Sequence, residues 1–377
     1  MTKIVIACDS FKESMSAKEA CKAIEKGIKA VDCTIDCFSI PMADGGEGTT
    51  EILMEAANCL PVFLTVHDPF HRLIDISYGM NQDGLAIMDV ALACGINLIP
   101  KDKRDPTKAL STGVGEMIKD AIINGAKEII IGLGGSGTND GGFGLLYALG
   151  AVFYDSNDKK LPLSYQSIIK INRIDLSKVN ELLKNCQIFV ASDVENVFTG
   201  LHGATYTFGK QKGASLKQLD ILEKSLLHFQ AIVEKQYHID LSKIAKTGGA
   251  GGIGGALYLI KAQLVSGIDL VLDKVEFEKQ IKDADYIFTG EGSIDGQTIN
   301  GKTISGIIKI AKKYHVPVIA LAGRINQDAT NLYDLGLTAM FSITNEAKPL
   351  KEALKDGKSS LMLTTQNIIR LLNSKNS

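Results

Sequence analysis

Short runs of apolar, mostly β-branched residues recur near both ends of the chain. Each run is followed by glycine or a small polar residue, and then by residues at helical spacing. Nearly continuous apolar runs are typical of parallel strands that are buried on both faces. The runs are KIVIAC (3–8), TIDCFSIP (34–41), DYIFTG (285–290), PVIALAG (317–323) and AMFSIT (339–344). The pattern therefore predicts parallel strands contributed by both chain ends.

Segments with helical periodicity lie between these runs. Ser16 and Glu19 have the spacing of a capping box, and apolar residues follow at helical intervals up to Val31. Residues 303–314 lie between the third and fourth strands, and residues 350–372 close the chain. Strands that alternate with helices in this way indicate a doubly wound parallel sheet.

The middle of the chain has a different pattern. Three closely spaced apolar segments (61–68, 73–80 and 85–91), with turn signals between them, predict an antiparallel meander. A helix over about 107–124 and strands near 128–133 and 187–193 follow. We therefore predict an α/β protein with two domains: residues 1–61 and 269–377 form the doubly wound domain, and residues 62–268 form an inserted α/β domain with a mixed sheet.

Composition excludes some classes of partner. The formal net charge of the 377 residues is −2, which gives no global field to attract nucleic acid or an anionic membrane. The apolar runs are too short to span a bilayer, which takes about 20 residues. None of the seven cysteines forms a CxxC pair. We expect reduced thiols in a cytoplasmic protein that binds neither nucleic acid nor membrane.

Residues 296–303, GQTINGKT, spell the phosphate-binding P-loop pattern and end in Lys302 and Thr303. In a working P-loop the strand runs directly into the first glycine. Here the strand is predicted to end near Thr289, so GEGSID would separate it from Gly296. The spacing therefore argues against a P-loop. It leaves open whether Lys302 meets a phosphate by another geometry or only begins a helix.

A second glycine-rich segment, GGAGGIGG (248–255), contains the dinucleotide-binding pattern GxGxxG. Asp273 lies about 20 residues further on, where a ribose-binding acid is expected. The preceding residues, LSKIAKT, do not resemble a strand, which argues against such a site. Two interpretations remain: the glycines let a helix pack closely, or their backbone N–H groups face an anion.

The segment LGGSGTNDGG (133–142) has the most favourable context, because it follows one predicted strand directly and precedes a helical run. Its glycines allow unusual backbone angles and close approach of a ligand. Its polar side chains add hydroxyl and amide groups, and Asp140 implies a metal or a substrate hydroxyl. The candidate binding residues in this loop are Gly134, Gly135, Ser136, Thr138, Asn139 and Asp140.

Acids and lysines also follow the predicted parallel strands near the chain ends. Ligands bind open α/β sheets at the carboxyl ends of the strands. Carboxylates, lysines and glycine loops are what phosphoryl transfer from a magnesium nucleotide requires. The residues concerned are Asp9, Ser10 and Lys12 after the first strand, Asp44 and Glu47 after the second, and Glu291 and Asp295 after the third.

Taken together, these motifs resemble the bacterial-type glycerate kinase family, and the match covers essentially the whole chain. The resemblance rests on DSFKES (9–14), ADGGEGT (43–49), RDP (104–106), GGSGTNDGG (134–142), ASDVEN (191–196), FGKQKGA (208–214), GAGGIGGAL (249–257) and TGEGSIDGQT (289–298). It implies a flavodoxin-like domain made from both chain ends, an inserted α/β domain and a cleft between them. It also implies transfer of the γ-phosphoryl group of ATP, with Mg, to D-glycerate, usually giving 2-phosphoglycerate, with 3-phosphoglycerate as the alternative product.

Roles for individual residues follow from the needs of a kinase. The attacking hydroxyl needs a base or an orienting acceptor, and the metal needs separate carboxylates. We predict Asp193 as the base and Asp44 and Glu291 near Mg. Lys12 and Lys212 are predicted, with the glycine loop, around the phosphoryl group or the glycerate carboxylate. Asp9, Ser10, Asp140 and Asp295 are further candidates, and Asp9 or Asp140 can exchange roles with the other acids.

Two other classes of function stay open from the residues. An NAD-dependent oxidoreductase rests on the GxGxxG pattern alone. A non-catalytic nucleotide-binding regulator would keep the fold without turnover.

Overall fold

The computed structural model describes residues 2–46, 48–299 and 303–374. The chain divides into two compact units, which we call the terminal unit (Met1–Asp44 and Ser266–Ser377) and the central unit (Gly45–Val265). No helix among the described residues is both long and apolar enough to cross a membrane.

The strands are named in chain order. They are β1 (Lys3–Cys8), β2 (Asp36–Ser39), β3 (Leu60–His67), β4 (Leu73–Met80), β5 (Leu85–Asp89), β6 (Glu128–Gly132), β7 (Val152–Tyr154), β8 (Arg173–Asp175), β9 (Gln187–Ala191), β10 (Gln263–Val265), β11 (Tyr286–Ile294), β12 (Val318–Ile325) and β13 (Ala339–Ser342).

The helices are named in the same way. They are α1 (Ala17–Val31), α2 (Thr49–Ala56), α3 (Ala91–Cys94), α4 (Thr112–Ile123), α5 (Phe143–Leu149), α6 (Ser177–Leu182), α7 (Ala204–Phe208), α8 (Leu216–Tyr237), α9 (Gly249–Leu259), α10 (Gly267–Lys274), α11 (Phe277–Gln280), α12 (Thr303–Lys313), α13 (Leu332–Leu335), α14 (Leu350–Lys355) and α15 (Gly357–Asn373).

The terminal unit contains a parallel five-stranded sheet in the order β13-β12-β11-β1-β2. Each of the five predicted strands is present in it. Apolar residues of β1, β11 and β12 form a core with α1 and α15 on one face of the sheet. Helix α1 begins with the predicted capping box, in which Ser16 and Glu19 each bond the other's backbone N–H. The α/β class with a doubly wound parallel sheet is confirmed.

Strand β11 is longer than the sequence pattern predicts. It stays paired with β12 as far as Ile294, which pairs with Ile325, so the predicted end near Thr289 is wrong. The polar and glycine residues 291–293 look like a loop in the sequence. Sheet pairing uses backbone groups, and a strand can therefore continue through such residues when a neighbour is in register.

The central unit contains a mixed six-stranded sheet in the order β10-β9-β6-β5-β4-β3. Strands β3, β4 and β5 form the predicted antiparallel meander. Strands β5, β6, β9 and β10 are parallel to one another. The carboxyl ends of β5, β6 and β9 therefore meet at one edge of this sheet.

The boundary between the units differs from the predicted one. The sequence pattern placed it after residue 61, where the apolar meander begins, whereas the compact units divide after Asp44. Helix α2 accounts for the difference, because it packs against β5 and β6 of the central unit. The hydroxyl of Thr50 in α2 also donates a hydrogen bond to Asp89 Oδ2 in β5, at 2.5 Å.

Candidate active site

A cavity of about 270 Å³ lies in the central unit, at the carboxyl ends of β6 and β9. It brings together five residues predicted for the site: Gly134, Gly135, Ser136, Asp193 and Lys212. The full lining is Gly45, Gly46, Leu133, Gly134, Gly135, Ser136, Ala191, Ser192, Asp193, Val194, Phe208, Gln211, Lys212 and Ala250. These residues are far apart in the sequence, and the parallel strands place them at one edge.

The loop after β6 forms one wall of the cavity. A side chain on Gly134 would meet nothing within 4 Å, and Gly135 has a φ of +68°, in the left-handed region that favours glycine. In the part of the chain that the structure describes, no acceptor is bonded to the backbone N–H groups of Gly134, Gly135 or Ser136. The loop can therefore offer backbone donors to an anion.

Lys212 supplies a buried cation beside this loop. Its side-chain ammonium donates hydrogen bonds to Ser136 Oγ at 3.0 Å and to the backbone oxygen of Thr138 at 2.7 Å. Burial lowers the pKa of Lys212 to about 8, and the charges of Cys94 and Asp140 oppose this shift. Lys212 is therefore a fixed donor that carries its proton at neutral pH.

Three other predicted loop residues, Thr138, Asn139 and Asp140, are fully buried and do not line the cavity. Asp140 accepts hydrogen bonds from the backbone N–H groups of Gly142, Gly144 and Ser111, and from the Ser111 hydroxyl, at 2.8–3.1 Å. Through these hydrogen bonds the carboxylate holds the loop to the starts of α4 and α5. This placement does not match the predicted role for Asp140 as a metal or substrate ligand.

Asp193 follows β9 and is exposed on the lining of the same cavity. Asp193 and Lys212 both line that space. A cation, backbone donors and a carboxylate there suit a small molecule that carries both a negative group and a hydroxyl.

The second glycine-rich segment packs against the first. The residues Ala250, Gly251 and Gly252 have positive φ near the start of α9. A Cβ on Gly251 would lie 2.1 Å from the Thr138 oxygen, and the Gly141 N–H donates to the Gly251 oxygen at 3.0 Å. The close-packing interpretation is therefore the one that the geometry supports. A 3₁₀ turn (Leu241–Lys243), and not a strand, precedes this segment, so the context of a dinucleotide-binding loop is missing.

In the terminal unit, Asp9 is held at the carboxyl end of β1. Asp9 Oδ2 accepts a hydrogen bond from Thr303 Oγ1 at 2.6 Å, and Oδ1 accepts one from the Ser10 N–H at 2.6 Å. Burial raises the pKa of Asp9, the Thr303 hydrogen bond lowers it, and the charge of Asp44 raises it further. The carboxylates of Asp9 and Asp44 therefore lie close enough to interact.

Glu291 lies within β11 and Asp295 follows it. Glu291 is buried, and its Oε1 accepts a hydrogen bond from Thr298 Oγ1 at 3.0 Å. The Thr298 N–H donates to the backbone oxygen of Asp295, also at 3.0 Å. Lys12 is exposed in the turn after β1.

The P-loop spelling falls on this same region. Residues Gly296–Ile299 form a 3₁₀ turn directly after β11, and Thr303, which bonds Asp9, begins α12. Only Asp295 lies between β11 and Gly296, so the predicted separation by the six residues GEGSID is wrong. Lys302 and Glu47, which the sequence analysis considered, lie outside the described residues.

One acid at the edge of the central sheet was not singled out from the sequence. Asp89 ends β5, beside the end of β6. In the sequence, Asp89 stands at the end of a short apolar run, and this is the same pattern that indicated Asp193. It was overlooked because the run was assigned to a meander.

Comparisons with known proteins agree on one family. The model of the glycerate kinase family matches residues 4–373. The chain is 42% identical over 368 residues to a glycerate kinase of Bacillus subtilis, covering 97% of this chain and 96% of the relative. It is 40% identical over 372 residues to glycerate 2-kinase of Escherichia coli, covering 98% of each.

A solved structure shares the fold. The crystal structure named for glycerate kinase 2 of Salmonella typhimurium LT2 has a TM-score of 0.86 and 39% sequence identity, with 100% of this chain and 99% of that chain covered. The family match over nearly the whole length, with the cavity described above, leaves the oxidoreductase interpretation without support. This chain belongs to the glycerate kinase family.

Proposed function

We propose that the chain transfers the γ-phosphoryl group of ATP to the 2-hydroxyl of D-glycerate. The observation that carries the proposal is the cavity in the central unit, where Lys212, the glycine loop and Asp193 line one space. A relative that is 40% identical is named glycerate 2-kinase, which favours the 2-hydroxyl over the 3-hydroxyl.

The cavity matches the chemistry of glycerate. The Lys212 ammonium and the N–H groups of Gly134, Gly135 and Ser136 bind the negative end of the substrate or the transferring phosphoryl group. Asp193 accepts the proton of the attacking hydroxyl, or orients that hydroxyl. A kinase needs little covalent chemistry from its protein, because positioning and charge neutralisation provide most of the rate.

In the terminal unit, we propose that Asp44 and Glu291 hold Mg and that Asp9, Ser10, Lys12 and Asp295 contact the nucleotide. The charge of Asp44 raises the pKa of Asp9, so a cation bound nearby would favour the ionised form of Asp9. Among the described residues, no three metal-binding side chains converge. Mg commonly uses only one or two carboxylates, with substrate phosphates and water as its other ligands. Bound Mg would neutralise charge on the phosphate oxygens.

We also propose that the protein works in a reducing compartment, the cytoplasm. Each of the seven cysteines is a free thiol, and four of them are intermediate or exposed. Such thiols persist where glutathione and thioredoxin keep proteins reduced.

The test is a coupled assay of ADP release with D-glycerate, ATP and Mg, followed by ³¹P NMR of the product. A phosphate ester on C2 couples to one proton and gives a doublet, whereas an ester on C3 couples to two and gives a triplet. ADP release together with a doublet is expected. A triplet would contradict the 2-hydroxyl, and bound ATP without turnover would favour the regulator.

A further inference from the structure

Asp89 occupies a position in the central sheet that the proposed mechanism does not yet use. It is the last residue of β5 and pairs with Gly132, the last residue of β6; Gly132 in turn pairs with Ala191, the last residue of β9. Ligands of α/β sheets bind at the carboxyl ends of parallel strands. Asp89 therefore ends at the same edge as the glycine loop and Asp193.

Gly132 has no side chain, and the Asp89 carboxylate lies over it. A Cβ on Gly132 would lie 2.0 Å from Asp89 Oδ1, so the carboxylate extends across the end of β6 into the space that any other residue would fill. Gly132 immediately precedes Leu133 and Gly134, which line the cavity, and its partner Ala191 lines it as well. Asp89 is not itself a lining residue, but its carboxylate lies next to Gly132, whose neighbours Leu133 and Ala191 line the cavity.

The two oxygens of Asp89 differ in their surroundings. Oδ2 accepts a hydrogen bond from the Thr50 hydroxyl at 2.5 Å, in the first turn of α2. Oδ1 accepts none from the residues that the structure describes, although the side chain is only partly exposed. Burial raises the pKa of Asp89 and the Thr50 hydrogen bond opposes this. A carboxylate that is fixed through one oxygen keeps the other available for a ligand.

Glycerate has three polar groups: one carboxylate and two hydroxyls. Lys212 and the glycine loop suit the carboxylate, and Asp193 is proposed for the reacting hydroxyl, so the second hydroxyl needs a further acceptor. We propose that Asp89 Oδ1 accepts a hydrogen bond from the hydroxyl that is not phosphorylated, and that it thereby selects glycerate over hydroxy acids with a single hydroxyl. This inference rests on the proposed function of the cavity.

The experiment compares substrates that differ by one hydroxyl. D-Lactate lacks the 3-hydroxyl of D-glycerate, and 3-hydroxypropionate lacks the 2-hydroxyl. For wild type and Asp89→Asn, kcat/KM is measured with glycerate and with the analogue that keeps the reacting hydroxyl. Where an analogue is not turned over, its competitive inhibition constant is measured instead. Asparagine still accepts a hydrogen bond but carries no charge, so the hydrogen bond from the second hydroxyl weakens and kcat/KM for glycerate should fall by about tenfold. The value for the analogue should change less than about twofold, since it never made that hydrogen bond.

Two further variants separate binding from structure. Thr50→Val removes the hydrogen bond that positions Asp89, and should reduce the preference for glycerate in the same direction but less. Glu55→Gln is the matched control, because it removes an exposed acid from the last turn of α2 and should leave the preference unchanged. Thermal melts of each variant report folding, and Thr50→Val serves as the test if Asp89→Asn does not fold.

Each remaining outcome overturns the inference. Equal losses with glycerate and the analogue indicate a structural role for Asp89. An unchanged preference in Asp89→Asn means that the substrate does not meet this side chain. Loss of all turnover by folded Asp89→Asn makes Asp89 the base. Failure of the proposed function is distinguishable, because it shows in the wild-type enzyme as an absence of glycerate turnover.

Discussion

The ammonium nitrogen of Lys212 lies 2.7 Å from the backbone oxygen of Thr138, so a buried cation is fastened directly to the glycine-rich loop. A second hydrogen bond, to Ser136 Oγ at 3.0 Å, fixes its direction. An ordinary surface lysine would lose side-chain entropy on binding substrate, whereas this one is already ordered. The same burial makes its charge sensitive to pH.

The first prediction concerns the alkaline side of the pH profile. Burial lowers the pKa of Lys212 to about 8, so Lys212 is charged below that pH and becomes neutral above it. The carboxylate of glycerate stays ionised, and its attraction to the site should therefore weaken. We expect kcat/KM for glycerate to fall above about pH 8, since this ratio reports ionisations of the free enzyme.

Lys212→Arg is the matched variant for this prediction, because arginine keeps its charge throughout the range. Its kcat/KM should be lower at pH 7 and should lack the alkaline fall. A wild-type fall that persists unchanged in folded Lys212→Arg would show that another group titrates.

The second prediction separates a scaffold role from a ligand role for Asp140. Asp140→Ala removes the buried acceptor of the backbone N–H groups of Ser111, Gly142 and Gly144. Leaving buried donors unsatisfied costs about 1–3 kcal/mol each, and partial relaxation should hold the total loss of unfolding free energy to about 3 kcal/mol. Urea unfolding measures this loss.

Asp155→Ala is the control for Asp140, because Asp155 also accepts two backbone N–H groups, from Asn157 and Lys159, but in an exposed turn. It should cost less than about 1 kcal/mol, since water can replace the acceptor. An Asp140→Ala protein with wild-type stability and no turnover would instead restore Asp140 as a ligand of metal or substrate.

Much of the fold could be predicted from the sequence, because the central parallel strands are buried on both faces. Such strands must be apolar throughout, so β1 and β12 stand out as short runs. The apolar pattern predicts only the first half of β11, because Glu291, Gly292 and Ser293 in its second half are not apolar. Its pairing with β12 is a property of the backbone, which leaves little trace in side-chain polarity.

The candidate site could be predicted only as a set of residue types. The motif that contains Gly134 and Asp140 marks one loop, but it cannot show that Gly134 faces a cavity while Asp140 is turned inwards to cap two helices. That difference depends on which N–H groups the packing of α4 and α5 leaves without acceptors. Asp89 shows the same limit, since no sequence pattern indicates that its carboxylate lies over the missing side chain of Gly132.

A third prediction tests Lys12, which follows β1 in an exposed turn. Lysine acts as a mobile point charge, and we expect it to approach the phosphates of bound nucleotide. Lys12→Ala should lower kcat by about tenfold or more, which corresponds to about 1.4 kcal/mol of transition-state stabilisation. Lys22→Ala, which removes an exposed lysine from α1, is the control and should leave kcat unchanged. Wild-type kinetics for Lys12→Ala would remove this residue from the site.

The last prediction tests Asp193 as the group that receives the proton of the attacking hydroxyl. Asparagine has nearly the same shape and still accepts a hydrogen bond, but it cannot take up a proton. Asp193→Asn should therefore lower kcat by roughly 10²- to 10⁴-fold, the usual contribution of general base catalysis. Binding of a non-hydrolysable ATP analogue, measured by calorimetry, should be unchanged, because the nucleotide is proposed to be held by residues of the terminal unit.

Glu195→Gln provides a matched control in the same loop. Glu195 is exposed and pairs with Lys246 at 2.6 Å, so its loss removes an acid two residues from Asp193 without touching the cavity lining. A surface ion pair of this kind contributes about 0–1 kcal/mol, and kcat should stay within about twofold of wild type. If Asp193→Asn and Glu195→Gln lower kcat equally, the effect comes from the net charge of the loop. If Asp193→Asn retains wild-type turnover, the hydroxyl loses its proton elsewhere, and Asp89 becomes the acid to test.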